Sequence, residues 1–243
     1  MNDRMEGIID RRILANYQVD PKVMAHLLPS PFEPKLVNGY GVAGMCLIRL
    51  ANMRPKGLPA WMGTSAEYGA HRFGVQWRDG DQIREGVYIP RRDTNSLLSS
   101  FAGGRLFPGP LKRSKFTVEE KDNLYYVKFE NKDGTSLELM AHDTDTFSDD
   151  SVFATIKDAS SFFEEGKVGY SPNLKGDQLD AVQLNAQQWS VSPLYVQYMH
   201  SSFFDDRKRF PEGSIKFDHA LIMKNIVHEW QSLKELSCKS SHC

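Results

Sequence analysis

The stretch "SKFTVEEKDNLYYVKFENKDGTSLELMAH", residues 114–142, decides the fold class. It contains three runs, "SKFTVEE", "NLYYVKFEN" and "TSLELMAH", in which apolar and polar residues alternate. A period of two is typical of strands that bury one face. The "KDG" between the second and third runs is a turn signal, so the stretch is predicted to be an antiparallel meander.

The same pattern extends in both directions along the chain. Candidate strands are "RRILANYQV", "YGVAGMCLIRL", "SAEYGAHRFGVQW" and "IREGVYIP" before the meander, and "DAVQLNAQQW", "WSVSPLYVQYMH" and "SIKFDHALIM" after it. We therefore predict a mainly β (α+β) fold. Its curved antiparallel sheet closes into a cone- or barrel-like form with a few short outer helices.

Capping residues predict where those helices begin and end. Asp20 is the expected N-cap of "DPKVMAHLL", and Asp93 that of "TNSLLSSFA". A third helix is expected to start at Asp149 or Asp150 and to end at Gly166. A short helix is also predicted over "HEWQSLKEL".

Length and composition limit the classes of function. The 243 residues contain no Pro/Gly/Ser linker, so one domain is expected over residues 1–236, followed by a flexible tail, 237–243. With 30 basic and 31 acidic side chains there is no overall attraction to nucleic acid or membrane. The chain has no signal-like N-terminus and only three scattered cysteines, which indicate a cytoplasmic protein. Whether it forms a homo-oligomer is left open.

Motifs for cofactors and metals give no prediction of either. "GYGVAG", residues 39–44, matches a dinucleotide fingerprint formally, but a β-like segment follows it where a helix is required. Small residues on a tightly curved strand explain it better. No histidines and cysteines have zinc-ligand spacing, and "HDTDTFSDD" lacks the glycine and terminal glutamate of an EF-hand.

Glu67 and His71 form a candidate proton-transfer pair. Both fall on the odd-numbered face of "SAEYGAHRFGVQW", together with apolar side chains. One interpretation is a core histidine paired with a carboxylate. The other is a cavity-lining pair with shifted pKa values, able to move protons.

Arginines near the middle of the chain are candidates for holding an anion. In strand phase Arg91 falls with Val87 and Ile89, whereas Arg92 falls with Tyr88, so one arginine of the pair is expected to point inward.

The stretch "AGGRLFPGPLKRSKF", residues 102–116, adds more cations. Arg105 lies between a glycine pair and Phe-Pro, a context suited to gripping a carboxylate or phosphate. Lys112, Arg113 and Lys115 are expected to face water.

Several motifs in order, among them "RRILANYQVD", "GVYIPRRDT", "GGRLFPG" and "SSFFDDRKRFPEGS", resemble the YqjF-like conserved bacterial family of the acetoacetate decarboxylase-like superfamily. The resemblance covers residues 11–230 and implies a cone-like or barrel-like β fold with an interior pocket. The link to acetoacetate decarboxylase itself is carried by "VDPKVMAHLLPSPF" and by "FDHA", which makes His219 a candidate substrate-binding residue.

One departure from that enzyme concerns its chemistry. Acetoacetate decarboxylase forms a Schiff base through a lysine of a Lys-Lys-Leu run. Here the aligned positions are Gly104-Arg105-Leu106 or, alternatively, Pro90-Arg91-Arg92. Arginine stays protonated and does not form the imine, so Schiff-base decarboxylation does not carry over.

The sequence therefore favours an enzyme that acts on a small carboxylate or carbonyl compound by lyase- or isomerase-type chemistry without a Schiff-base lysine. Its predicted catalytic residues are Arg105, Glu67 and His71, and its predicted substrate-binding residues are Arg91, Tyr88, Arg92 and His219. A non-catalytic binding module that kept the cavity is the alternative. A third hypothesis is an interaction protein whose interior is filled by its 14 Phe, 9 Tyr and 4 Trp.

Overall fold

The computed structural model of the protein describes residues 4–102 and 109–237. Its strands are β1 Arg4–Val19, β2 Glu33–Pro34, β3 Leu36–Val37, β4 Tyr40–Pro55, β5 Thr64–Asp79, β6 Gln82–Thr94, β7 Leu111–Arg113, β8 Lys115–Lys121, β9 Leu124–Glu130, β10 Ser136–Asp143, β11 Val168–Pro172, β12 Gln178–Ala186, β13 Ser192–Ser201 and β14 Ile215–Ser237. Its α-helices are α1 Pro21–His26, α2 Leu97–Ala102 and α3 Ile156–Glu165, and a 3₁₀ turn covers Ala60–Met62.

Seven of the strands form a ring. Their order is β1-β4-β5-β6-β11-β12-β14, and β14 pairs again with β1, which returns the order to its start. The predicted fold class, a mainly β protein with a curved sheet and few helices, is confirmed. Pairing is not antiparallel throughout, because β11 and β7 both lie parallel to β6. The sheet is therefore mixed.

The same sheet continues beyond the ring as a branch that starts at β14, and this branch is called the second sheet below. Residues 220–222 of β14 pair with β13, whereas its later residues pair with β12 of the ring. Beyond β13 come β10, β9 and β8, joined by antiparallel pairing. These last three strands are the predicted meander, which is confirmed.

The described residues form two hydrophobic cores, one on each face of the ring strands. The outer core lies between the outside of the ring and the second sheet, and includes Ile13, Phe73, Phe129 and Leu139. The ring-interior core includes Leu14, Cys46, Ile48, Phe163 and Leu184. Ile13 and Leu14 are adjacent in sequence and both fully buried, so β1 has no solvent face at this point.

Of the N-caps predicted for the first two helices, one is confirmed and one is wrong. Asp20 caps α1, its Oδ1 accepting from the backbone N–H groups of Lys22 and Val23 at 2.8 and 3.1 Å. Asp93 does not cap α2. The hydroxyl of Ser96 accepts from the N–H of Ser99 at 3.1 Å instead.

The third helix starts later than predicted. Thr155, rather than Asp149 or Asp150, is the N-cap of α3, and its hydroxyl accepts from the N–H of Asp158. Gly166 is the C-cap, as predicted. None of the described helices is long and apolar enough to span a membrane.

The predicted helix over "HEWQSLKEL" is wrong. These residues belong to β14, which continues to Ser237 and pairs with β12 along this part. Tertiary pairing overrides the local helical pattern here. Of the predicted tail, residues 238–243 lie outside the described residues.

Gly44 of "GYGVAG" serves strand packing, as interpreted from the sequence. The motif runs into β4 and no helix follows it. A Cβ added at Gly44 would lie 2.4 Å from the backbone oxygen of Ala15 on the neighbouring strand. The close approach of β1 and β4 therefore requires glycine at this position.

Candidate functional site

The inside of the ring contains a cavity of about 120 Å³. All seven ring strands contribute to its wall, and Phe163 at the end of α3 closes it on one side. Lys167 lines the rim and is exposed, so the cavity opens to solvent there. Most of the wall is apolar, from Ile48, Leu50, Val87, Ile89, Leu111, Val182, Leu184, Trp189 and Trp230.

Within residues 4–102 and 109–237, three guanidinium groups line this apolar cavity: Arg12 on β1, Arg72 on β5 and Arg92 on β6. Among the described residues that form the wall there is no Asp or Glu. Burial in apolar surroundings lowers the pKa of Arg72 to about 9 and that of Arg92 to about 10. Both groups remain charged near neutral pH, so the cavity carries positive charge in an environment that strengthens electrostatic attraction.

Asn16 and Phe163 hold the side chain of Arg72 in place, and part of its guanidinium faces the cavity. Its side chain is only 5% exposed, and its plane lies over the ring of Phe163 at 4.4 Å. Nη2 donates to Oδ1 of Asn16, whereas Nε has no hydrogen-bond partner. The indole N–H of Trp230, on the same cavity wall, also lacks an acceptor.

A chain of buried polar groups fixes Asn16 and, through it, Arg72. The amide of Asn16 donates to the carbonyl oxygen of Leu14 at 3.1 Å, which orients Oδ1 toward Arg72. The same amide lies 2.9 Å from Nε2 of His219. Nε2 is therefore the acceptor, and the His219 proton is on Nδ1, where it is donated to Asp218.

The pKa of His219 is lowered, chiefly because the ring is buried, with the Asp218 carboxylate opposing the shift. Asp218 in turn accepts from the hydroxyl of Ser151 at 2.6 Å and from the N–H of Val152 at 2.9 Å. The residue predicted to bind substrate, His219, thus reaches the cavity only through Asn16 and Arg72. It is a positioning residue for Arg72.

A family model, DUF2071, described as "Uncharacterized conserved protein (COG2071)", matches residues 9–212. The chain belongs to the DUF2071 family. A search of curated proteins found no match by sequence.

Solved structures show that this DUF2071 protein shares the acetoacetate decarboxylase-like fold. Acetoacetate decarboxylase from Legionella pneumophila matches with a TM-score of 0.61 and 13% identity, over 97% of this chain and 90% of that one. An acetoacetate decarboxylase-like enzyme from Sphingomonas wittichii RW1 matches with a TM-score of 0.58 and 12% identity, over 98% and 94%. The enduracididine biosynthesis enzyme MppR matches with a TM-score of 0.60 and 12% identity, over 98% and 88%.

Glu67 and His71 share a face of β5 as predicted, but the structure does not bring them to the cavity. They point into the outer core, on the opposite side of the sheet. Glu67 forms ion pairs with Arg11 and with Arg49, whose Nε lies 2.6 Å from the carboxylate. The ring leaves the odd-numbered face of β5 outside, so the pair does not line the cavity and its position gives no support to the proton-transfer interpretation.

His71 is a neutral core residue of this DUF2071 protein. Its ring lies 4.4 Å from that of Phe203, and neither nitrogen has a hydrogen-bond partner. Burial, with smaller contributions from Arg91 and Arg209, lowers the pKa of His71 to about 3.

The predicted phase of β6 is also wrong, because the strand contains a bulge. His71 lies opposite Arg91 and Phe73 lies opposite Tyr88, so between these two pairs β6 has one residue more than β5. The extra residue exchanges the two faces beyond it. Arg92 therefore lines the cavity with Val87 and Ile89, and Arg91 does not.

Arg91 and Tyr88 lie on the outer side of the ring. Arg91 donates to Asp93 at 2.8 Å and to Asp133 at 2.7 Å. Tyr88 is buried in the outer core, with its ring 5.8 Å from that of Phe32. Neither residue is placed to bind a ligand inside the ring.

The remaining cations singled out from the sequence are Arg105, Lys112, Arg113 and Lys115. Arg105 lies outside the described residues. Lys112, Arg113 and Lys115 are exposed, as predicted, and Lys112 forms an ion pair with Asp133 at 2.9 Å. In residues 4–102 and 109–237 no group of three His, Cys, Asp or Glu side chains could hold a metal ion.

Sequence reasoning missed Arg12, Arg72 and Cys46 as wall residues of the cavity. A signal for Arg72 was present, since a charged residue stands between apolar neighbours in the middle of a long strand pattern, "AHRFGV". A charge at such a position is either paired or functional.

Proposed function

We propose that this DUF2071 protein binds a small molecule with a carboxylate and a carbonyl group inside the ring, and acts on it by lyase- or isomerase-type chemistry. The observation that carries the proposal is the buried guanidinium of Arg72, which faces an apolar cavity whose described wall has no carboxylate. A buried charge without a counter-ion is costly, and an anionic ligand would remove that cost.

Hydrogen-bond donors on the wall that have no acceptor support a ligand rich in acceptor groups. Nε of Arg72 and Nε1 of Trp230 are both donors without acceptors. A carboxylate has two oxygens and accepts only, so it suits this set of donors. The apolar remainder of the wall fits a short carbon chain.

The proposed chemistry is stabilisation of negative charge. With the carboxylate of the ligand bound to Arg72, a second guanidinium of the wall would stabilise the oxyanion or enolate that forms when a bond beside the carbonyl breaks. The lysine on the described wall, Lys167, is exposed at the rim, so the proposal includes no Schiff base.

Ligand-dependent thermal unfolding tests the binding step. Pyruvate is the first probe, since one of the structural neighbours, MppR, was solved in complex with pyruvate. We expect pyruvate and other short 2-oxo acids to raise the Tm, by roughly 2–4 °C for each kcal/mol that the bound ligand adds to the free energy of unfolding. Uncharged pyruvamide should not raise it.

Two variants make this test specific. Arg72→Gln removes the charge and should abolish the stabilisation, whereas Arg113→Gln, at an exposed position on β7, should retain it. Equal stabilisation of both variants by pyruvate would refute the role of Arg72.

A non-catalytic binding module is the second candidate. It is favoured by the lack of a His, Asp or Glu side chain on the described wall, and by the engagement of both nitrogens of the nearby His219 by Asn16 and Asp218. NMR of the ligand during incubation separates the two functions: an enzyme consumes it, and a binding module stabilises without converting it. The YqjF-like assignment, the cytoplasmic location and the oligomeric state stay predictions.

A further inference from the structure

Cys46 lies on the cavity wall between two arginines of neighbouring strands. It is opposite Leu14 on β1 and Ala70 on β5, so Arg12 and Arg72 are each two positions away on the same face. Its Sγ accepts a hydrogen bond from Nε of Arg12 at 3.3 Å. Cys46 is a free thiol with 8% of its surface exposed.

The surroundings of this thiol suit a nucleophile. Cysteine sulfur is an intrinsically strong nucleophile, and Cys46 lines the same cavity as the guanidinium groups of Arg12 and Arg72. The described wall also has a hydroxyl group, that of Tyr68, but this group is engaged by the hydroxyl of Ser99 at 2.8 Å. Cys46 is therefore the wall residue best placed to attack a ligand deep in the cavity.

A second, independent observation indicates what would be attacked. The side chain of Arg72 is buried, faces the same cavity and has no acceptor for its Nε. It fits an anionic group beside Cys46. A molecule with a carboxylate next to an electrophilic carbon would place that carbon close to Sγ.

We propose that Cys46 is a nucleophile that adds reversibly to the carbonyl carbon of a 2-oxo acid whose carboxylate is held by Arg72. A bond forms between Sγ and the carbonyl carbon, and the π electron pair of the carbonyl moves to its oxygen. That oxygen takes up the proton released by the thiol, which gives a thiohemiketal without an oxidant or reductant. The proposal rests on the proposed function, because the same arginine holds the carboxylate.

Charge-selective alkylation tests the nucleophile without requiring any enzymatic activity. Iodoacetate and iodoacetamide differ in charge, and Sγ displaces iodide from either. Peptide mass spectrometry of the full chain follows Cys46 separately from Cys238 and Cys243. Relative to glutathione, we expect the iodoacetate-to-iodoacetamide rate ratio at Cys46 to be higher by about tenfold or more.

Matched variants connect this selectivity to the cavity. Arg72→Gln should lower the ratio toward the glutathione value, and Arg113→Gln should leave it unchanged. Arg12→Gln is a second test at a less buried position, in case Arg72→Gln does not fold. A ratio at Cys46 that equals the glutathione value, or that both cavity variants leave unchanged, would overturn the proposal.

The addition step has its own readout. With carbonyl-labelled ¹³C pyruvate, we expect a new tetrahedral carbon signal that disappears in Cys46→Ser. If pyruvate stabilises the protein but keeps its carbonyl carbon unchanged, the proposed function stands and the nucleophile is refuted. If the alkylation ratio is raised but pyruvate does not bind, Cys46 is supported as a nucleophile and it is the proposed function that has failed.

Discussion

His71 and Arg72 are neighbours in the sequence but belong to different parts of the protein. His71 packs among aromatic rings in the outer core, and Arg72 faces the cavity inside the ring. Both are buried, because β5 is covered on both faces at this point. The residue expected to transfer protons is therefore structural, and the residue beside it carries the charge of the candidate site.

The buried histidines predict a loss of stability in acid. The pKa of His71 is lowered to about 3 and that of His228 to about 4, in both cases chiefly by burial. Because these values lie below the ordinary histidine value near 6.5, the unfolded chain takes up protons first as the pH falls. Stability is fully present above about pH 6.5 and is lost progressively below it.

Replacing His71 tests this dependence. His71→Phe removes a ring that makes no hydrogen bond, so we expect the slope of unfolding free energy against pH between pH 6 and 4 to decrease by roughly 1 kcal/mol per pH unit. Urea denaturation at several pH values measures it. His26→Gln, at an exposed site in α1, is the control and should keep the wild-type slope. An unchanged slope in His71→Phe would contradict the prediction.

At the scale of elements, the strands were predictable because alternation and turn signals are local. The order of strands in the ring was not, since it depends on pairing between distant segments. The faces of β5 could not be assigned because both are covered by protein, and alternation alone does not tell which face lies inside. The bulge in β6 was hidden for a similar reason: one extra residue reverses the phase at Arg91 and Arg92 without a local signal.

Two glycines on adjacent strands give a prediction about how the elements pack. A Cβ at Gly44 would lie 2.4 Å from the backbone oxygen of Ala15, whereas a Cβ at Gly74 would lie 2.8 Å from the ring end of Phe162 on α3. A side chain can shift more easily than a paired strand. We therefore expect Gly44→Ala to destabilise by about 3 kcal/mol and Gly74→Ala by about 1 kcal/mol, measured by urea denaturation. The reverse order would show that α3, rather than the β1–β4 pair, is the more rigid neighbour.

At the scale of the whole molecule, a group of charges joins the ring to the second sheet. Glu67 on β5 pairs with Arg11 on β1 and Arg49 on β4. Both arginines also contact Glu120 on β8, at 3.3 and 2.7 Å. Arg11 is only 2% exposed, so its charge depends on these partners.

Neutralising Glu67 should therefore destabilise the whole fold. We expect Glu67→Gln to cost about 3 kcal/mol of unfolding free energy, because it leaves the buried Arg11 with one partner fewer. Glu130→Gln removes an exposed ion pair with Lys128 and should cost much less than Glu67→Gln, because solvent screens this pair. Equal losses in the two variants, measured by denaturant unfolding, would argue against a joining role for Glu67.

The pairing of β1 with β14 has a consequence for biosynthesis. Arg4 lies opposite Gln231, so the ring closes between the ring strand that is synthesised first and the ring strand that is synthesised last. Until β14 has been synthesised, the nascent chain has no partner for this edge of β1, and its apolar side chains remain accessible to chaperones. The wall of the cavity is complete only after β14, which contributes Trp230, has been synthesised.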